Sequence, residues 1–198
     1  MTSFSVTGFP SSTTAGVAAS FTVIAKDAYG NTVTGYTGQV RFSSTDVQAG
    51  LPANYTFSAS DAGVHTFNAT LKTAGLQSLT VTDTLVSTLT GSESNISVQA
   101  AAATHFRVTA PTNAQVGVAF NVTVTAIDAY GNVATGYTGT VHFTSNDGRA
   151  ILPANYTFTG ADAGVHVFSV TLRSHGTQNI TVTDILTGSV NGRTSVSA

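Results

Sequence analysis

The chain has 198 residues and a formal net charge of −2, and only 8% of its residues are charged, against about 25% in an average domain. Seven Lys and Arg residues are too few for a phosphate-binding surface, which excludes nucleic-acid binding, and the absence of cysteine excludes disulfides and thiolate chemistry. Ser and Thr contribute 55 residues while 41% of the chain is hydrophobic, a balance that favours a folded protein rich in strands.

The first ten residues have neither the basic nor the apolar region of a signal peptide, and no apolar run reaches the 18 residues that a membrane-spanning helix needs. We therefore expect no membrane insertion in this segment. We also expect the segment to belong to a longer protein, with a signal peptide outside it.

A repeat with an offset of 101 residues organises the chain. D-A-Y-G-N, G-Y-T-G, L-P-A-N-Y-T-F, D-A-G-V-H and T-V-T-D each occur twice, and 44 of the 76 positions from Gly16 to Gly91 are identical in the second copy. A unit of this length is too long for a solenoid repeat and suits a β-sandwich. The sequence predicts two domains, residues 1–100 and 101–198, joined at Ala100–Ala103.

Alternation of apolar and polar residues predicts seven strands in each copy. Phe21, Val23 and Ala25 alternate with Thr22 and Ile24, and the same period of two recurs along both copies. In the first copy we predict strands at residues 3–7, 18–26, 37–44, 53–58, 64–72, 76–83 and 94–100. Adding 101 gives the second copy through its sixth strand. Thr on the alternate face indicates half-buried strands of antiparallel sheets.

The motifs carry a family resemblance. A strand leading into D-A-Y-G-N, then G-Y-T-G-x-V-x-F, D-A-G-V-H and a turn into T-V-T-D resemble bacterial immunoglobulin-like repeats of invasin- and intimin-type surface proteins, and filamin repeats have a similar D-x-x-G-N turn. The resemblance covers nearly all of both copies. It implies an all-β fold of two tandem immunoglobulin-like seven-stranded antiparallel β-sandwiches, used as stalks or adhesive modules in extracellular proteins.

Strand parity predicts that polar side chains meet at one end of each domain. Asp27, His65 and Asp83 each extend an inward-facing series where strands end or begin together, and Asp128, His166 and Asp184 do so in the second copy. A carboxylate near a core needs donors, so a structural network with backbone N–H groups is one interpretation. A Ca²⁺ or Zn²⁺ site built from these six residues is the other.

Tyrosines are candidates for carbohydrate binding, since aromatic faces stack on sugar rings. Four of them follow or lie within the repeated turns: Tyr29, Tyr36, Tyr130 and Tyr137. The alternative is that the rings cover the ends and edges of the sandwich, with their hydroxyls bonded to backbone. Catalysis is not expected, because the lone glutamate Glu93 has no counterpart in the second copy and no G-x-S-x-G turn presents a serine.

Together these features predict a non-catalytic spacer in an extracellular or cell-surface repeat protein, with an adhesive module for carbohydrate or a partner protein as the alternative. We expect a monomer whose partners are neighbouring repeats and, in the alternative, a surface ligand. No cofactor is expected, and calcium is left open.

Overall fold

The computed structural model describes residues 1–198, and the chain divides into two compact units, Met1–Gln99 (unit 1) and Ala100–Ala198 (unit 2). Unit 1 contains eight strands: β1 Ser3–Thr7, β2 Ser12–Thr14, β3 Ala18–Lys26, β4 Gln39–Ser44, β5 Tyr55–Thr56, β6 Val64–Thr70, β7 Gly75–Asp83 and β8 Thr90–Gln99. Unit 2 contains seven: β9 His105–Thr109, β10 Ala119–Ile127, β11 Thr140–Ser145, β12 Tyr156–Thr157, β13 Val165–Thr171, β14 Thr177–Asp184 and β15 Asn191–Ser197.

Each unit is a sandwich of two sheets. In unit 1 the orders are β1-β3-β6 and β2-β8-β7-β4-β5, and in unit 2 they are β13-β10-β9 and β12-β11-β14-β15. Every strand pairing is antiparallel except β2 with β8, which run parallel with Thr13 opposite Val98. The predicted all-β immunoglobulin-like sandwich is therefore confirmed. None of the helical segments is long or apolar enough to cross a bilayer.

The core lies between the two sheets and is built from the inward-facing residues of alternating strands. In unit 1 the ring centroids of Phe21 on β3 and Phe42 on β4 lie 5.9 Å apart, across the two sheets. Burial of these apolar faces provides most of the driving force for folding.

The two cores are filled differently. Phe21 and Ala69 of unit 1 correspond to Val122 and Val170 of unit 2, and all four side chains are buried. Across the same strand pair, Ala19 in unit 1 is replaced by Phe120, which packs partly buried against the unit 2 core. Unit 2 thus has a smaller side chain at one core position and larger side chains at two neighbouring positions, which keeps the core close-packed.

Several local features differ from the strand prediction, and β4 and β5 are shorter than the strands predicted at residues 37–44 and 53–58. β2 is an additional strand of three residues, and β8 begins at Thr90 rather than at residue 94. The register of β7 and β8 shifts between Gln77 and Leu79, where Asn95 has a positive φ of 61° that inserts a bulge. A 3₁₀ turn at Ala59–Asp61 and its counterpart at Gly160–Asp162 precede β6 and β13.

Candidate functional site at the loop end of each unit

The repeated motifs lie together at one end of each unit, which we call the loop end. In unit 1 it comprises the β3–β4, β5–β6 and β7–β8 loops, at residues 27–38, 57–63 and 84–89. Strand β1 begins at this same end, because Ser3 pairs with Lys26. In unit 2 the equivalent loops are residues 128–139, 158–164 and 185–190, and β9 begins there.

Asp27 organises the first turn of the loop end in unit 1. Its Oδ1 accepts the amides of Tyr29 and Asn31, each at 2.9 Å, and its Oδ2 accepts the Asn31 side-chain amide at 3.0 Å. The hydrogen bond from the Asn31 side chain, helped by these backbone amides, lowers the pKa of Asp27. The D-A-Y-G-N motif therefore acts as an Asx-type turn.

Asp128 makes the same turn in unit 2 and one contact more. Its Oδ2 accepts the backbone amide of Ala101 at 2.9 Å as well as the Asn132 side-chain amide. The Asp128 side chain is completely buried, whereas Asp27 is partly exposed. Burial raises the pKa of Asp128, but the four hydrogen bonds from Asn132, Ala101 and Tyr130 outweigh it, so the pKa is lowered.

The second buried carboxylate of the loop end pairs with a tyrosine. In unit 1 the Tyr36 hydroxyl donates to Asp83 Oδ2 at 2.5 Å, while Asp83 Oδ1 accepts the amides of Leu85 and Val86. Burial and the adjacent carboxylate raise the pKa of Tyr36, and the hydrogen bonds lower that of Asp83 despite its burial. Tyr137 and Asp184 repeat the pair in unit 2.

A histidine, a tyrosine and a third carboxylate form the remaining group. His65 Nδ1 lies 2.8 Å from Asp61 Oδ1 and must donate, because a carboxylate oxygen only accepts. The Tyr55 hydroxyl donates to the same carboxylate, and the two rings are 4.2 Å apart. The Ser58 amide and hydroxyl and the His65 ring hold the pKa of Asp61 well below its usual range.

Unit 2 repeats this group with Tyr156, Asp162 and His166. The His166 Nδ1 lies 2.7 Å from Asp162 Oδ1, and the His166 and Tyr156 rings stack at 4.0 Å. Each unit thus has one His–Asp contact within ion-pair distance.

The structure does not join the six predicted metal candidates into one site per unit. Asp27 binds Asn31 and its own turn, His65 binds Asp61, and Asp83 binds Tyr36. Asp128, His166 and Asp184 are separated in the same way. Strand parity placed the three residues of each set at the same end of the unit. They do not bond to one another, because each has a hydrogen-bond partner in its own part of the loop end. No group of three or more His, Asp or Glu residues is arranged to hold a metal ion.

The four tyrosines considered for sugar binding fall into two classes. Tyr36 is held by Asp83, and its ring packs against Phe4 and Phe57 at 5.4 and 5.1 Å, so it is not a free platform, and Tyr137 is held in the same way. Tyr29 is 91% exposed, whereas Tyr130 is only half-buried. The expectation that the hydroxyls of Tyr36 and Tyr137 bond to backbone was wrong, because the carboxylates at the ends of β7 and β14 accept them instead.

Exposed leucines at the loop end were missed by the sequence analysis. Leu85 and its counterpart Leu186 are each 91% exposed, two residues beyond the aspartates whose Oδ1 atoms accept their amides. The signal was available, since this leucine is retained in the second copy while most of the loop around it has changed.

A cavity of about 410 Å³ lies at the loop end of unit 2. Ala100–Ala103 form one wall and the G-Y-T-G segment with Ala134 forms the other. The segment that leads into β9 is therefore part of the loop end, and it is attached there by the bond from Ala101 to Asp128.

The overall fold is similar to parts of several solved structures. The FdeC adhesin of Escherichia coli is 18% identical with a TM-score of 0.49, and the match covers all of this chain and 64% of that one. The InvE adhesin of Yersinia pseudotuberculosis is 18% identical with a TM-score of 0.42, covering 98% and 58%. A β-glycosidase of Bacteroides vulgatus is 10% identical with a TM-score of 0.45, covering 98% and 24%.

The chain thus spans less than two thirds of each of these structures. Bacterial adhesins, the class that the sequence motifs indicated, are among the similar structures. The sequence matches no protein-family model and no curated protein.

Proposed function

We propose that the chain is a non-catalytic spacer made of two immunoglobulin-like repeat domains, residues 1–100 and 101–198, within a larger extracellular or cell-surface protein. It acts as a monomer, and its partners are neighbouring repeats of the same protein. It transmits tension between the segments of the larger protein on its N-terminal and C-terminal sides.

The observation that carries this proposal is the parallel pairing of strands from opposite ends of unit 1. β2 follows the first strand and β8 is the last, and Thr13 lies opposite Val98. The Ser97 amide donates to Ser11 and the Ala15 amide to Gln99, at 2.9 and 2.8 Å. Force applied to the two ends of the unit pulls these parallel strands past each other, so the bonds are loaded in shear and must break together.

Unit 2 has a weaker version of the same pairing, which makes it an internal reference. A single parallel bridge joins Asn113 and Ser197 in place of the three paired residues of β2. The bonds from Ser197 to Thr112 and from Ala114 to Ser197 flank it. We expect unit 1 to resist a higher force than unit 2.

Stretching single molecules of the full chain in an atomic force microscope tests the proposal. We expect two unfolding events, each releasing about 340 Å of chain, because each unit has 99 residues. Ala15→Pro removes the amide that Gln99 accepts and should lower the higher of the two forces selectively.

The matched control is Ser12→Pro, since Ser11 and Ala15 bond to β8 and Ser12 therefore directs its own amide to the other side of β2. Equal unfolding forces for the parent chain and both variants would show that the β2–β8 pairing does not set the resistance of unit 1 to force. Unfolding of both units at negligible force would contradict the spacer function itself.

The side chains of the loop end support a structural role over a catalytic one. Asp61 already accepts from Tyr55, Ser58 and His65, and Asp83 from Tyr36 and two amides. No Ser or Thr hydroxyl bonds to His65 or His166, so neither histidine is placed to activate a nucleophile.

The alternative, an adhesive module for carbohydrate or a partner protein, is favoured by one observation. Tyr29, Leu85 and Leu186 are each 91% exposed on turns that aspartates hold in place. Binding of the chain to immobilised glycans and to host-cell surfaces, lost on Leu85→Ser with Leu186→Ser, would favour this alternative. Absence of binding favours the spacer.

A further inference from the structure

The loop ends of the two units are built from the same motifs but differ in one hydrogen bond. Asp128 Oδ2 accepts from Asn132 and from the backbone of Ala101, whereas Asp27 Oδ2 accepts from Asn31 alone. Asp128, which has the additional contact, is completely buried, whereas Asp27 is partly exposed. One oxygen of Asp27 is therefore able to accept a further donor.

The register of the first strands identifies where that donor belongs. Thr2 donates its amide to Lys26 at 2.8 Å, and Thr104 donates to Ile127 at the same distance, so Thr2 and Thr104 are equivalent. Counting back from these two threonines, the position equivalent to Ala101 lies two residues before Met1.

Most of the surface that receives the segment is repeated in unit 1, where Val33 takes the place of Ala134. In unit 2 the segment Ala100–Ala103 runs beside the G-Y-T-G loop at 136–139. Unit 1 has the identical G-Y-T-G loop at 35–38, and Tyr36 is anchored to Asp83 as Tyr137 is to Asp184. The segment and this loop line one cavity of unit 2, and every residue of the segment is an alanine.

We propose that the loop end of unit 1 is a docking site for an extended peptide segment of small residues on the N-terminal side of β1. The segment binds through a backbone N–H donated to Asp27 Oδ2, as Ala101 does to Asp128. The aspartate of each D-A-Y-G-N motif thereby fastens the backbone that enters its sandwich. Such docking would serve a spacer and an adhesive module equally, so it does not depend on the function proposed above.

The direct test adds Ala-Ala-Ala before Met1 of the full chain and follows amide hydrogen exchange by NMR. The added amide two positions before Met1 should exchange at least about tenfold more slowly than an unstructured alanine amide, because a hydrogen bond to a carboxylate protects it. An added amide that exchanges at the unstructured rate overturns the proposal.

Asp27→Asn in the extended chain is the matched variant. Asparagine keeps the oxygen that accepts the Tyr29 and Asn31 amides but replaces Oδ2 with an amino group, which cannot accept. The protection of the added amide should be lost while the turn remains. If the variant is unfolded, the exchange rate of the added amide in the extended parent chain, measured against the unstructured rate, still decides.

Unit 2 provides the reference measurement without any extension. The Ala101 amide should be protected in the parent chain and should lose that protection in Asp128→Asn, while Asp27→Asn leaves it unchanged. Protection of Ala101 that persists in Asp128→Asn would show that the aspartate is not the anchor, and would overturn the proposal for both units.

Discussion

Apart from the two His–Asp contacts, the carboxylates described here are stabilised by amides and hydroxyls. At the end opposite the loop end, Asp147 Oδ2 accepts the amides of Arg173 and Ser174 at 2.6 and 3.0 Å, and Oδ1 accepts the Ser174 hydroxyl. The Arg173 amide, with its neighbours, lowers the pKa of Asp147 to about 2. Asp46 makes the same contacts with Lys72 and Thr73 in unit 1.

We predict an acid-dependent loss of stability from this arrangement. The folded pKa of Asp147 lies below its ordinary value of 3.8, so its contribution is complete above about pH 5 and is lost progressively as the pH falls towards 2. Urea unfolding at pH 7, 4 and 2.5 measures the free energy of unfolding at each pH. Asp147→Asn should destabilise unit 2 at pH 7 and flatten the pH dependence between 4 and 2.5. If the stability of this variant depends on pH as that of the parent chain does, Asp147 is not the source of the acid-dependent loss.

At the scale of single elements, the last strand of each sandwich depends on a glycine. A Cβ built on Gly91 of β8 would lie 2.1 Å from the Phe4 carbonyl oxygen on β1, and Gly192 of β15 meets Phe106 in the same way. The two strands belong to different sheets, so this close approach closes one edge of the sandwich.

Gly91→Ala should therefore lower the free energy of unfolding of unit 1 by about 2 kcal/mol or more, because rigid backbone has to move. Gly35→Ala is the matched control, since no atom lies within 4 Å of its Cβ position and its φ is not positive. Chemical denaturation of both variants measures the difference. Equal stability of the two would show that the strands can separate without cost.

The strands that bury one face could be predicted because apolar and polar residues alternate along most of their length. In β3 the side chains of Phe21, Val23 and Ala25 are buried between more exposed neighbours, and the predicted bounds of β3 and β10 match the observed ones. β2 carries no such pattern, since Ser12–Thr14 is polar throughout and pairs only through its backbone. Similarly, strand parity placed Asp27, His65 and Asp83 at one end. It could not predict their hydrogen-bond partners, because these depend on loop conformation.

On the scale of the whole molecule, two units that are identical at 44 of 76 aligned positions must each fold with their own strands. A hybrid sheet of β3 with β13 would place Ala19 opposite Val170, and β10 with β6 would place Phe120 opposite Ala69. Either hybrid changes the volume of a close-packed core, at a cost of about 1–3 kcal/mol. The different fillings of the two cores therefore favour the correct partners.

We predict that making the cores alike removes this protection. Phe120→Ala, Val122→Phe and Val170→Ala together give unit 2 the filling of unit 1. On dilution from urea this variant should yield more misfolded chain than the parent, measured as the fraction that fails to regain the native elution volume and spectrum. Equal yields would show that the core difference plays no part in partner choice.

The stabilisation of carboxylates by neutral donors has a consequence for the surroundings in which the protein can work. Dissolved salt screens attractions between opposite charges, and each unit has one histidine–aspartate contact of this kind. Bonds from amides and hydroxyls, and the burial of apolar side chains, are not weakened in this way, and some salts strengthen apolar burial. The hydrogen bonds that hold most of the carboxylates are therefore expected to persist over a wide range of ionic strength.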